Sequence, residues 1–86
     1  VVVIGTGGIG LLCLMMAKAA GPGRLIAVDT SDYALENARR LGATHTVNPA
    51  REDAKQRVYE ILPDGPDLVV EAAGPIQASA GGDDGF

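Results

Sequence analysis

The chain opens on Val1, Val2, Val3 and Ile4, four β-branched residues with no polar interruption, and then meets Gly5. An apolar run of this kind predicts a strand covered on both faces, as in a parallel sheet, because a strand with one wet face would alternate. Good helix formers follow over residues 8–20, among them Leu11, Leu12, Leu14, Met15, Met16 and Ala17, and Gly21, Pro22 and Gly23 end that segment. Leu25, Ile26, Ala27 and Val28 repeat the buried-strand pattern and stop at Asp29. Ser31 is then placed to cap a helix running to about Leu41, with Gly42 just beyond its end. Leu35, Ala38 and Leu41 share the inner face of that helix, and Glu36, Arg39 and Arg40 its wet side.

Residues 44–47 read as a short edge strand ended by Asn48 and Pro49. Ala54, Val58, Ile61 and Leu62 mark the inner stripe of a third helix that stops at Pro63. After a turn at Asp64, Gly65 and Pro66, residues 67–72 form a fourth strand ended by Ala73, Gly74 and Pro75. Strands alternating with helices across short turns imply right-handed crossovers. The expected fold is therefore α/β: a partial Rossmann, doubly wound parallel sheet of four strands in order 3-2-1-4, with helices on both faces. No segment is assigned to the free edge of the fourth strand. Periodicity is lost from Ile76 to Phe86, so residues 76–86 are expected to be a poorly ordered tail behind a domain of residues 1–75.

Eighty-six residues make at most one domain. Seven Lys and Arg against eleven Asp and Glu give a net charge of −4, without the basic excess that a nucleic-acid backbone requires. The longest apolar stretch, residues 9–20, carries Lys18 and is shorter than a membrane span, so no membrane partner is expected. The start at Val1 has no basic segment ahead of an apolar run; it reads as a cut in a longer protein, and the expected location is cytoplasmic. One cysteine, Cys13, and one histidine, His45, are too few for a disulfide framework or a zinc site within the chain. Cys13 is read as a small buried hydrophobe, His45 as a surface or edge residue, and Met15 and Met16 as packing residues.

The chemistry concentrates at the first strand-to-helix junction. Gly5, Thr6, Gly7, Gly8, Ile9 and Gly10 spell G-x-G-x-x-G in the context that gives this pattern its meaning. Gly5 permits the tight turn, Gly7 lets backbone approach a pyrophosphate, and Gly10 lets helix and strand pack closely. Amides of the first helical turn, with the positive end of the helix dipole, can then hold a diphosphate without Lys or Arg. Asp29 stands nineteen residues after Gly10, at the carboxyl end of the second strand, where a carboxylate accepts from ribose hydroxyls and repels a 2′-phosphate. No Arg or Lys lies between Thr30 and Asn37, so NAD is expected over NADP. Ala73 and Gly74 are the small residues that could line the crevice beside the adenosine. The plainer readings are that the glycines serve packing alone and that Asp29 is a turn residue capping toward Ser31 or Asp32.

Taken together, VVVIGTGGIGLL, AKAAGPGRLIAVD, ALENARRLGATHTVNP and DLVVEAAG resemble, in that order and spacing, the coenzyme domain of medium-chain (zinc-type) alcohol dehydrogenases. The match spans about residues 1–74. The resemblance implies hydride transfer between an alcohol or polyol and NAD, with Gly5, Gly7 and Gly10 at the pyrophosphate and Asp29 at the ribose. It also implies a small-molecule alcohol substrate for the parent protein, which could be a homo-oligomer. Zinc ligands and the proton relay belong to a separate preceding domain in that family, so no catalytic or metal-binding residue is assigned here, and the isolated chain is expected to be inactive. Family members often carry Arg or Lys five residues beyond the ribose acid, where this chain has Ala34, which predicts a weaker hold on the adenosine end. Residues 79–86 do not resemble the family's continuation past the fourth strand.

The alternative is a non-catalytic dinucleotide-sensing regulatory domain, which would share the fold and the glycine turn. A methyltransferase would place an acid just before the glycines, where Val3 and Ile4 stand. A short-chain dehydrogenase would need Lys four residues after a tyrosine, but Tyr33 and Tyr59 are followed there by Asn37 and Pro63.

Overall fold

The structure is a computed structural model that describes residues 1–21, 23–72 and 77–80. Its elements run β1 (Val2–Ile4), α1 (Gly8–Ala19), β2 (Ile26–Val28), α2 (Asp32–Arg40), β3 (His45–Val47), α3 (Ala54–Ile61), β4 (Leu68–Glu71) and β5 (Gln77–Ala80). The sheet order is β3-β2-β1-β4-β5. The first four strands are parallel, with Val3 opposite both Ala27 and Val70. This is the expected 3-2-1-4 core of an α/β doubly wound sheet.

The unbroken apolar runs have the predicted cause. Val2, Ile26 and Val28 point to one face, where they pack with Val47, Val58, Ile61 and Val69 under α3. Val3 and Ala27 point to the other, where they meet Leu14, Leu35, Ala38 and Ala43 under α1 and α2. Because successive strand residues serve opposite layers, neither can be polar. Removing such a side chain would forfeit about 2–5 kcal/mol for a leucine-sized group, which is a large part of a small domain's stability.

Two of the helices begin on side-chain caps, one of them at the expected Ser31. The Ser31 hydroxyl accepts from the Ala34 amide, and the Asp53 carboxylate accepts from the Gln56 amide, so α2 and α3 carry side-chain caps. Gly42 closes α2 at φ 119°, a conformation that L side chains rarely adopt.

Four readings change. Leu41 is the C-cap residue of α2 and is exposed, because the chain leaves the helix before it can turn inward. Met15 and Met16 are exposed as well, and Cys13 is only half-buried. Helix α1 is apolar nearly all round, so its composition could not show that a stripe of Leu11, Leu14 and Ala17 packs in the core beneath it. The expectation of no further element after β4 fails at β5. Residues 77–80 pair antiparallel with β4, Leu68 opposite Ala80 and Glu71 opposite Gln77. The sequence QASA alternates, but its alanines are too small to mark a strand face; an unpaired strand edge offers backbone donors and acceptors to any extended segment that reaches it. The rest of the tail, Ile76 and residues 81–86, lies outside the described residues.

Candidate functional site

The carboxyl ends of β1 and β2 lie side by side, and the turns that leave them form the candidate site. Gly5 continues the sheet pairing by donating to the Val28 carbonyl at 2.8 Å, then turns at φ 85°. Thr6 follows, 1 % exposed, and Gly7 begins α1. Gly10 sits one turn in, where an added Cβ would lie 1.8 Å from the Gly5 carbonyl oxygen. The helix can rest on the strand end only because that Cβ is missing.

Gly7 and Gly8 differ from Gly10 in a telling way. Neither has a positive φ, and an ideal Cβ on either would meet nothing within 4 Å. The folded chain thus imposes no steric demand for glycine at these positions. Their bareness leaves open space in front of the α1 N-terminus. Unlike α2 and α3, α1 has no side-chain cap, and its first turn holds no acidic residue. Its leading amides and the positive end of its dipole face outward unneutralised, an arrangement suited to an anion.

Asp29 is placed by the adjoining strand. Its Oδ2 accepts from the Thr6 amide at 2.8 Å and the Thr6 hydroxyl at 3.2 Å, and its Oδ1 accepts from the Ser31 amide at 2.8 Å. Burial works to raise its pKa, but the hydrogen bonds from the Thr6 amide, the Ser31 amide, the Thr6 hydroxyl and the Thr30 amide together outweigh it, and the carboxyl ionises below its ordinary range. Three of these donors meet the carboxylate in hydrogen-bond geometry, the Thr6 amide and hydroxyl on Oδ2 and the Ser31 amide on Oδ1, while the Thr30 amide stands farther off; of a carboxylate's about four acceptor positions, one on Oδ1 is left for a further donor. The turn role of Asp29 is therefore real, and compatible with a second role toward a hydroxyl.

Beside it lies a cleft of about 160 Å³ lined by Ile4, Gly5, Val28, Asp29, Thr30 and Pro49. Pro49 comes from the turn after β3 and was read in the sequence only as a strand terminator. Its ring and the aliphatic ends of β1 and β2 make a mostly apolar wall next to a single carboxylate. A larger hollow, about 420 Å³, lies at the opposite, amino end of the strands around Val1, Arg24 and Asp67, away from the glycine turn. In open α/β sheets ligands bind at the carboxyl ends, so the smaller cleft is the candidate.

Of the residues singled out beforehand, Gly5, Thr6, Gly7, Gly8, Ile9, Gly10 and Asp29 converge on this end of the sheet. Ala73 and Gly74 lie outside the described residues. Ala34 donates its amide to Ser31 and puts no charge near Asp29. His45 is half-buried on the edge strand, its Nδ1 3.0 Å from the Thr44 hydroxyl. Sequence reasoning missed a polar cluster outside the cleft, where Asn48 donates to the Thr30 carbonyl at 3.2 Å and to Asp32 Oδ1 at 3.0 Å, and Arg51 reaches Asp32 Oδ2. Their spacing from Asp29 in the chain carries no local signal. Among the described residues no three His, Cys, Asp or Glu side chains gather as a metal cluster, and no helix is long and apolar enough to cross a membrane.

A glycine turn feeding an uncapped helix, one strand away from an ionised carboxylate at the switch point of a parallel sheet, defines the class of dinucleotide-binding α/β folds. Within that class the chain belongs to the zinc-binding dehydrogenase family, whose model matches residues 8–81. It is 43% identical over 81 residues to L-threonine 3-dehydrogenase of Bacillus subtilis, covering 93% of this chain and 23% of that protein. Among solved structures it is similar to an alcohol dehydrogenase zinc-binding domain protein from Burkholderia ambifaria, with TM-score 0.82, 36% identity, and coverage of 85% of this chain and 20% of the other. It is also similar to a protein from Sinorhizobium meliloti described as a zinc-binding dehydrogenase and solved with NADP, with TM-score 0.81, 33% identity, and coverage of 85% and 22%. The chain thus spans about a fifth of the length of these relatives.

Proposed function

We propose that the chain is the NAD(H)-binding segment of an oxidoreductase that moves hydride between an alcohol or polyol and NAD, and that these residues alone do not catalyse the transfer. The observation that carries this reading is the bare α1 N-terminus. Gly7 and Gly8 have no steric need to be glycine in the fold, yet their missing side chains expose uncapped amides. A diphosphate is the ligand that profits from such a surface. The residues present therefore fit the group.

In this reading Gly5 turns the backbone toward the phosphates, Gly7 and Gly8 admit them, and the amides from about Gly8 to Leu11 hold them. Asp29 accepts from the adenosine ribose, and its charge disfavours a 2′-phosphate. The cleft between Val28, Thr30 and Pro49 takes the adenine face-on. The nicotinamide ring supplies the chemistry by accepting or returning a hydride. We assign Ala73 and Gly74 to the crevice beside the adenosine, and zinc to the parent's catalytic domain. We place the protein in the cytoplasm, with a homo-oligomeric parent compatible with the same reading. The relatives' names support the dehydrogenase assignment, and the NADP-bound relative supports a nicotinamide cofactor.

Titration of the 86-residue chain with NADH, followed by cofactor fluorescence and calorimetry, tests the proposal. Binding of NADH in preference to NADPH, without alcohol-dependent NADH formation, is the expected result. A folded chain that binds neither cofactor would overturn it.

A further inference from the structure

The turn after β3 carries the Arg51 guanidinium to Asp32, three residues beyond Asp29, and that guanidinium is already engaged. Val28 pairs with Val47, which sets Asp29 beside Asn48 on the neighbouring strand, and the Asp29 amide donates to the Val47 carbonyl at 3.2 Å. Asn48 is nearly buried, 6 % exposed, and organises both turns. Its side-chain amide ties the Thr30 carbonyl to Asp32 Oδ1, and its side-chain oxygen accepts from the Ala50 amide at 2.9 Å. Its carbonyl accepts from the Arg51 amide at 3.0 Å, curling the chain so that Arg51 returns across the hollow to Asp32 Oδ2.

This hollow, about 260 Å³, adjoins the Asp29 end of β2 and holds three carboxylates, Asp32, Glu36 and Glu52, against two guanidiniums, Arg39 and Arg51. Both cations are occupied. Arg39 donates to the Thr46 hydroxyl at 2.8 Å and pairs with Glu36 at 3.4 Å, while Arg51 pairs with Asp32. Residues 30–37 hold no base for a 2′-phosphate, but the tertiary structure brings one, Arg51, from nineteen residues beyond Asp32 and then neutralises it.

We propose that Asp32 is a second determinant of cofactor choice: held by Asn48, it keeps Arg51 from a 2′-phosphate at the Asp29 end, so that the site rejects NADP through a withheld cation as well as through the Asp29 charge. This rests on the dinucleotide reading above. The Asn48 amide most of all holds the Asp32 carboxyl below its ordinary pKa; burial opposes it, and Arg51 adds a lesser lowering through its hydrogen bond and charge, so the clamp is charged at neutral pH. Both side chains are more than half exposed, and a surface ion pair of this kind amounts to about fivefold in an equilibrium constant at most. The effect on selectivity is of that size. Asp32 is a positioning residue here, acting through Arg51.

The test is a cycle of Asp32→Asn, Arg51→Gln and the double variant, with NADH and NADPH affinities measured on each and folding checked by circular dichroism. Asp32→Asn is expected to raise NADPH affinity about three- to fivefold and to leave NADH affinity within about twofold. Arg51→Gln alone should change neither, and adding it to Asp32→Asn should return NADPH affinity to the parent value. Asp32→Glu should keep the original preference. If the NADPH gain survives in the double variant, removal of a negative charge explains it and the clamp is refuted. If Asp32→Asn binds NADH normally with no NADPH gain, the clamp is refuted while the dinucleotide reading stands. If the unmodified chain binds no NADH, that reading fails and this proposal falls with it. Should Asp32→Asn not fold, Asp32→Ser supplies the same arm of the cycle.

Discussion

Thr6 spends both its backbone amide and its hydroxyl on one oxygen of Asp29, at 2.8 and 3.2 Å, across 23 positions of the chain. The pair stitches the glycine turn to the end of the second strand, so the part of the site suited to phosphate and the part suited to ribose are held at one spacing. Because the hydroxyl is buried and the amide contact would survive its loss, Thr6→Val isolates the side-chain half of the stitch. Loss of one buried hydrogen bond to a charged acceptor predicts a destabilisation of about 1–2 kcal/mol, read as a lower urea midpoint with unchanged slope. An unchanged midpoint would show that the hydroxyl holds nothing.

The glycines of the turn should separate into two kinds. At Gly10 a Cβ would overlap the Gly5 carbonyl, and the obstacle is backbone that cannot step aside. Gly10→Ala is expected to cost about 3 kcal/mol or more and to leave little folded chain. At Gly7 a side chain has room, so Gly7→Val should retain the native circular dichroism spectrum while NADH affinity drops at least about tenfold, since the valine stands where phosphate would approach. Full cofactor retention by a folded Gly7→Val chain would remove the anion site from the proposal.

Asp29→Asn keeps the shape of the side chain and removes its charge. The preference for NADH over NADPH should narrow by about tenfold, mainly through gain of NADPH, as expected when a carboxylate no longer faces a 2′-phosphate. Comparable affinities for the two cofactors before any substitution would sink the selectivity argument at its root.

Acid stability offers a check that needs no ligand. The folded pKa values of Asp29 and Asp32 both lie below the ordinary value of 3.8. A depressed carboxylate stabilises the fold fully above its unfolded pKa, and that contribution is lost as pH falls through the folded value. The chain should therefore weaken below about pH 4, and the decline should be shallower in Asp29→Asn than in the parent when urea midpoints are compared across that range. Parallel pH profiles for the two would contradict the charged, hydrogen-bonded state of Asp29.

Much of this could be read from the chain alone, for reasons visible in particular residues. Val2 and Val3 must be apolar together because each serves a different layer, and that necessity is written as an unbroken run. Ser31 announces the helix it caps, and Gly5, Gly10 and Gly42 stand where positive φ or close approach requires them. Such signals are local, involving neighbours along the chain or a fixed helical or strand period.

What the chain did not disclose involves partners that sequence separation hides. The inner stripe of α1 became visible only once the sheet existed to choose Leu14 over Met15 and Met16, since an all-round apolar helix has no preferred side of its own. Residues 77–80 became a strand because β4 had an edge to offer, not because QASA favours extension. Arg51 reached Asp32 only because β2 and β3 run parallel in register and Asn48 bends the following turn. Backbone conformation follows from short-range sterics and capping, which each residue carries with it, whereas side-chain meetings follow from how the layers close, and only the folded sheet decides that.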